Sequence, residues 1–302
     1  MTHPRSIRAA TRSSPLALWQ TDLIGGLVGA AHPEHEVTRV EVTTDADKRL
    51  DIPIWEMGGK GVFVKQVQAL VLAGQADLAV HSAKDLPSET PPGLVIAAVP
   101  ERGDARDALV GTALADLPTG ARVATGSVRR RTQLQWLRPD LSFAGLRGNI
   151  ATRLAQVPEF DAIVMAATAL DRLEIDVEAD ILAPDVMVPQ VGQGTLAVEC
   201  RADDLELIEL LGAIDHRRTQ RILDAERGFL RELGGDCDLP AGAHAVIDGD
   251  DEGPITIEGL LASLDGHRVL RATRQGVDAE QLGRDLARYL LDDAGGSSLL
   301  AS

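Results

Sequence analysis

The chain has 302 residues, with 46 Asp and Glu against 30 Lys and Arg, and a formal charge of −16 at pH 7. That balance excludes nucleic acid as the main partner, because a surface that follows phosphates needs a basic face. Three Trp, one Tyr and four Phe leave few platforms for stacking bases, and two cysteines give no disulfide framework, which points to a reducing cytoplasm.

The first residues, Met1 to Arg8, hold no apolar signal core, so nothing points to export. Apolar runs such as Ala162 to Ala167 fall far short of the roughly 20 residues a membrane span needs. Ser6 to Ala10 reads as a buried strand. Ser14 and Pro15 then open a helix as cap and first residue, with Leu16, Trp19, Leu23 and Leu27 on its apolar face. Val40, Val42 and Thr44 alternate with polar residues as a second strand. A polar stretch from Asp45 to Asp51 leads to Gly58-Gly-Lys-Gly61, which lacks the Lys-Ser/Thr step of a nucleotide loop. A helix from Phe63 to Leu72 stops at Gly74. Asp77 to His81 is a strand, and Ser82-Ala-Lys84-Asp85-Leu-Pro87 is the loop that follows it.

The same grammar restarts at Arg122 to Thr125, a strand, with Gly126-Ser127 as the turn and Val128 to Leu137 as a helix. Leu141 to Ala144 is a strand, Asn149 opens a helix carrying Arg153, and Asp161 to Ala166 is a buried strand before a helix with Arg172. Strands alternating with helices predict two α/β units with largely parallel sheets, whose ligands bind beyond the C-terminal strand ends. Arg12, Lys84, Asp85, Arg129, Arg130 and Arg147 all fall just past such ends. Asp203 to Ile214 and Thr219 to Leu233 read as helices. Ala243 to Ile247, Ile255 to Leu261 and Arg268 to Thr273 read as antiparallel strands. A helix with Leu282, Leu286 and Leu290 on one face closes a small α+β domain, and Asp292 to Ser298 reads as a frayed, solvated tail.

Three features carry chemistry. Cys237 stands on a glycine-rich loop after Gly234-Gly235, where a thiol is accessible as a nucleophile or attachment point; taken alone, such a thiol reads first as a structural or leftover one, and the clustered arginines and the Lys84-Asp85 pair reverse that reading. Arg129-Arg-Arg131, with Arg12, Arg147, Arg153 and Arg172, would line a cleft with guanidinium groups, which hold carboxylates through paired hydrogen bonds. In an acidic chain, that concentration of positive charge would focus a polyanionic small molecule. Lys84-Asp85 ends an apolar strand, where a carboxylate is partly desolvated and tuned for proton transfer; the plain alternative is a turn Asp before Leu-Pro. The scattered histidines and two distant cysteines show no metal-ligand spacing, and Arg102-Gly-Asp104 reads as an inter-domain turn.

Together these segments resemble the porphobilinogen deaminase (hydroxymethylbilane synthase) family. The matching runs are Ala10 to Gln20, Gly58 to Phe63, Val80-His-Ser-Ala-Lys-Asp-Leu-Pro87, Gly126-Ser-Val-Arg-Arg130, Leu146 to Arg153, Val191-Gly-Gln-Gly194, Glu199-Cys-Arg201 and the Cys237 loop. The resemblance implies a transferase of tetrapyrrole biosynthesis that joins four porphobilinogen units head to tail, releasing ammonia at each step and finally the linear hydroxymethylbilane. It implies a dipyrromethane cofactor bound through a thioether to Cys237, and no metal. It further implies Asp85 as the catalytic acid. Lys84, Ser127, Arg129, Arg130 and Arg147 would hold the cofactor. Arg12, Ser13, Arg153, Arg172, Gln193 and Phe63 would meet the substrate. The implied fold is two α/β domains built like periplasmic binding proteins (1–98 with 194–215, and 99–193) and an α+β domain, 216–302, with a three-stranded antiparallel sheet. The expected molecule is a cytoplasmic monomer with no membrane or nucleic-acid partner, passing its product to the next tetrapyrrole enzyme.

Two residues depart from the family pattern. Asp236 stands directly before Cys237, where a carboxylate disfavours the thiolate, and Asp171 stands beside Arg172, where it lowers local affinity for carboxylates. Two rivals compete with the enzyme. A non-catalytic anion binder would need the arginines but neither Asp85 nor Cys237. A regulator's effector domain would need a basic DNA-reading segment, and none precedes this fold.

Overall fold

The computed structural model describes residues 6–42, 64–234 and 239–300. The end of the second predicted strand at Thr44, the polar stretch from Asp45, Gly58 to Gly61, Phe63 and Cys237 lie outside the described residues. The chain divides into two compact units, Met1–Arg102 with Thr195–Gln220, and Gly103–Gly194 with Arg221–Ser302.

The elements run β1 (Ser6–Arg12), α1 (Pro15–Ala31), β2 (Glu36–Val42), α2 (Lys65–Leu72), β3 (Leu78–Ser82) and β4 (Leu94–Ala98). Then follow β5 (Asp107–Gly111), β6 (Arg122–Ala124), α3 (Val128–Leu137), β7 (Ser142–Ala144), α4 (Ile150–Ala155), β8 (Ala162–Ala166), α5 (Ala167–Arg172) and β9 (Ala179–Leu182). The chain ends with β10 (Leu196–Arg201), α6 (Leu205–Gly212), α7 (Arg217–Glu232), β11 (Ala241–Ile247), β12 (Ile255–Ala262), β13 (Val269–Gly276), α8 (Ala279–Arg288) and α9 (Ser297–Leu300).

The sheets are mixed rather than largely parallel. The first has order β2-β1-β3-β10-β4, with β10 antiparallel to both neighbours. The second has order β7-β6-β8-β5-β9, with β5 antiparallel to both. In each unit the reversed strand follows directly on a crossing from the other unit, β5 after Gly103 and β10 after Gly194. The reversal follows from that connectivity: the incoming strand joins a sheet whose other strands are laid down by crossovers within the unit. The third sheet, β11-β12-β13, is antiparallel throughout.

Period-two alternation builds the cores. On β8, Ala162 and Val164 face one cluster with Leu109, Val123 and Leu134, while Ile163 and Met165 face another with Val110 and Leu146. In the first unit, Ile7 and Leu78 pack with Ile24 and Val28 on one side, and Ala10 and Ala79 with Val67 and Val71 on the other. Phe229 of α7, Ile255 and Ile257 of β12 and Leu286 of α8 form the core beneath the third sheet. Each fully buried side chain of this size contributes about 1.5–3 kcal/mol.

Two local expectations are corrected. Helix α1 buries Gln20, Thr21, Ile24 and Val28, whereas Leu23 is exposed and Leu16, Trp19 and Leu27 are half-buried. The helix is apolar on most sides, so its pattern does not select a face. Gln20 is accommodated by donating to Ser82 Oγ at 2.9 Å, and Thr21 by donating to Ala17 O at 3.0 Å. The tail is not frayed: α9 returns to the body and buries Leu299 at 2% exposure.

Candidate active site

In the first unit, Ser14 caps α1 by accepting from Ala17 N at 3.3 Å, which turns the chain at the C-terminal end of β1 beside Arg12 and exposed Ser13. Parallel to β1, strand β3 ends at Ser82 and runs into a single helical turn, Ala83–Asp85. Buried Ala83 anchors that turn, and Lys84 stays half-buried. Asp85 is exposed to solvent, so the desolvated carboxylate expected at this strand end is not what the turn presents. Arg12, Gln20, His81, Ser82 and Asp85 line one pocket of about 70 Å³. Beneath it lies a polar pair that the sequence reading missed. Buried His81 places Nε2 3.0 Å from Glu199 Oε2, and Gln68 Nε2 donates to the same oxygen at 2.8 Å. Glu199 sits two residues along β10 from Ala197, the partner of His81.

In the second unit, Ser127 opens α3 by accepting from Arg130 N at 3.4 Å. Gly126 is required there, because a Cβ would stand 2.7 Å from the Leu146 carbonyl oxygen. The first turn of α3 therefore sends Arg129 and Arg130 inward, where they are 2% and 7% exposed rather than lining an open surface. Both meet Asp107, a fully buried carboxylate on β5. Arg129 Nη1 lies 2.8 Å from Oδ2 and also donates to Val188 O at 2.6 Å. Arg130 approaches Oδ1 through Nη2 at 2.7 Å and Nε at 2.9 Å, and donates through Nη1 to Val164 O at 3.1 Å. Gln193, also fully buried, donates to Asp107 Oδ1 at 3.0 Å and to Ala105 O at 2.7 Å.

Burial by itself would raise the Asp107 carboxyl, but the charges of Arg129 and Arg130, with the Gln193 hydrogen bond, hold it well below the usual carboxylate range. Burial pulls Arg129 below its ordinary value, against the pull of Asp107. Nothing in the sequence singles out Asp107 except that it is an acid in an apolar run, and this signal alone does not say which base it meets.

Of the expected site residues, the remaining arginines of this unit are Arg147, Arg153 and Arg172. Arg147 is half-buried just past β7, and its carbonyl accepts from Gln156. Arg153, on α4, donates through Nε to Gly148 O at 2.8 Å. Arg172 closes α5, is 8% exposed and donates to Gly194 O at 2.7 Å. Burial lowers it to about 10, while the charge of Asp171 works the other way. Cys200, the other cysteine, is fully buried on β10.

A carboxylate-bearing cofactor is consistent with this arrangement. Nε and Nη2 of Arg129 are buried donors with no hydrogen-bond partner, and two such donors on one edge match the two oxygens of a carboxylate.

The family model "Porphobilinogen deaminase, dipyromethane cofactor binding domain" matches residues 7–209, and "Porphobilinogen deaminase, C-terminal domain" matches residues 219–292. The porphobilinogen deaminase of Roseiflexus castenholzii is 47% identical over 98% of this chain and 99% of its own. That of Nitratidesulfovibrio vulgaris (strain Miyazaki F) is 45% identical over 96% and 95%. Among solved structures, the alkanesulfonate-binding protein SsuA of Xanthomonas axonopodis pv. citri aligns over 78% of each chain at 19% identity, with a TM-score of 0.37. With both family models matched in order and close relatives aligned end to end, the chain belongs to the porphobilinogen deaminase family.

Proposed function

We propose that this chain joins four porphobilinogen units head to tail into hydroxymethylbilane, with Asp85 as the catalytic acid and Cys237 as the attachment point of a dipyrromethane. The reaction is that of the family to which the chain belongs. The observation that carries the assignment of roles is the buried edge of Arg129, whose free donors fit a carboxylate.

When bound, the dipyrromethane supplies the pyrrole carbon to which each new unit is joined. Arg129, Arg130, Arg147, Lys84 and Ser127 would hold its acetate and propionate groups. Arg12, Ser13, Arg153, Arg172, Gln193 and Phe63 are read as the residues that meet incoming porphobilinogen, the arginines through its acetate and propionate groups. Charge-assisted hydrogen bonds of this kind contribute about 1.5–3 kcal/mol each. Asp85, at the open end of β3, reaches substrate without unfolding its turn. Its carboxyl carries a proton to the leaving amine, and its carboxylate then faces the positive charge the pyrrole develops.

We read the second unit as two domains, one around the β7-β6-β8-β5-β9 sheet and one around β11-β12-β13, giving three in all. The working molecule is read as a cytoplasmic monomer that hands its product to the next tetrapyrrole enzyme. Among the described residues no helix is long and apolar enough to cross a membrane.

The intact mass of purified protein tests the assignment. Wild type should carry a dipyrromethane adduct, Cys237→Ser should carry none and be inactive, and Cys200→Ser should keep it. An adduct that survives Cys237→Ser would defeat the assignment, and one lost in Cys200→Ser would move the role there.

A further inference from the structure

Two guanidinium groups and one carboxylate are buried together in the second unit, so the cluster of Arg129, Arg130 and Asp107 carries one net positive charge. Asp107 and Arg130 are the charges that bear on Arg129. Burying ions costs free energy that mutual attraction only partly offsets, and well-packed apolar residues of similar volume are often as stable. Stability therefore does not explain an unequal set of charges, nor a pair of unpartnered donors on the more buried of its two arginines.

The division of contacts is informative. Asp107 uses one oxygen for each arginine, Oδ2 for Arg129 and Oδ1 for Arg130. Arg129 is gripped at Nη1 alone, by Asp107 and by Val188 O. A planar guanidinium held at one corner has its opposite edge fixed in direction, and that edge, Nε with Nη2, has no partner. Gln193 braces the carboxylate from a third side.

We propose that Asp107 is a positioning residue of the carboxylate-binding wall. It holds the Arg129 guanidinium by one corner so that the Nε and Nη2 edge is presented to a ligand carboxylate, and it reduces the charge of the arginine pair to the single excess that one carboxylate neutralises. This rests on the reading of Arg129 as a cofactor-holding residue.

The test compares Asp107→Asn, Asp107→Glu and Arg129→Leu in the full chain, by thermal melting, by the fraction of purified chains carrying the dipyrromethane adduct, and by KM and kcat of the loaded fraction. Asp107→Asn keeps the shape but leaves two like charges buried, so its melting point should fall. Asp107→Glu keeps the charge and moves it by one methylene. In the folded variants the adduct-bearing fraction should drop about tenfold, and in the loaded chains KM should rise about tenfold with kcat little changed, the signature of lost positioning for binding. Asp107→Glu that folds and loads like wild type would overturn the proposal, and so would failure of both Asp107 variants to fold, which would make Asp107 a residue of the fold alone. Normal loading in Arg129→Leu would instead defeat the underlying reading of Arg129. Failure of Arg129→Leu beside normal loading of both Asp107 variants would leave that reading standing and remove Asp107 from it.

Discussion

Gly242, the second residue of β11, lies against the stem of Arg129: a Cβ there would stand 3.1 Å from Arg129 Cδ and 2.6 Å from the Pro189 carbonyl oxygen. The backbone at Ala243 donates to the same Pro189 oxygen at 3.1 Å, so strand and stem are held together. The strand that follows the Cys237 loop thus touches the side chain assigned to a cofactor carboxylate.

Gly242→Ala should therefore act on both. The new methyl meets backbone on one side and the Arg129 stem on the other, an overpacking that costs about 1–3 kcal/mol. A lowered melting point together with a reduced adduct fraction is expected. An unchanged melting point would mean that β11 shifts freely away from the 188–189 segment.

Much of this arrangement is legible in the sequence, and the illegible part has a physical reason. Helix α3 spans the expected residues because Ser127 caps it and the turn before it is glycine. Asn149 caps α4 by accepting from Thr152 N at 2.9 Å, as its position predicts. The strands that do not declare themselves are β4, β5, β9 and β10. Of these, β5 and β10 are the reversed members of their sheets, which is why the sheets read as parallel. Asp107-Ala-Leu-Val-Gly111 is buried at four of five positions, so it lacks the alternation that marks a strand with one wet face. Without β5, Asp107 has no address, and Arg129 and Arg130 read as the lining of a ligand cleft. The pairing of His81 with Glu199 is hidden in the same way, since it joins β3 to the other reversed strand.

Asp107→Leu and Arg130→Leu should separate sharply in stability. The first leaves two like guanidinium groups buried without a counter-charge, which costs about 3–5 kcal/mol. The second leaves Asp107 and Arg129 as a balanced pair and should cost clearly less. Denaturant titration gives both values. A larger loss in Arg130→Leu would mean that the Val164 carbonyl contact outweighs the charge balance.

Acid should find the same cluster. The Asp107 carboxyl lies below its unfolded value of about 4, so its contribution is fully present above that pH and is lost as pH falls toward the folded value. In Arg130→Leu one of the two depressing charges is gone, so the folded value rises toward the unfolded one. The stability lost between pH 4 and pH 2 should then be smaller in the variant than in wild type, by up to about 1.4 kcal/mol per pH unit of lost depression. Denaturant midpoints across that range measure it. Parallel curves would place the acid sensitivity on other carboxylates.

Asp85→Asn is the sharpest test of mechanism, and the exposure of Asp85 makes it cleaner. The side chain lies on the solvent side of its turn, while Ala83 and Leu86 on either side supply the burial. Replacing the carboxylate by an amide of nearly the same volume should leave the melting point within about 0.5 kcal/mol of wild type, as for other surface substitutions. The amide oxygen still accepts a hydrogen bond from a pyrrole N–H, so binding should largely survive. It carries no proton to the leaving amine and offers no negative charge to a cationic ring. Loss of acid–base assistance alone costs roughly 10²–10⁴-fold, and loss of the electrostatic contribution adds to it. The expected protein is folded, still bears its adduct and barely releases ammonia from porphobilinogen. Ammonia release and intact mass, measured on adduct-bearing wild type and variant, decide the matter. Wild-type release from Asp85→Asn would make Asp85 a turn residue, and the acid would have to be sought among the other groups lining its pocket, with His81 first.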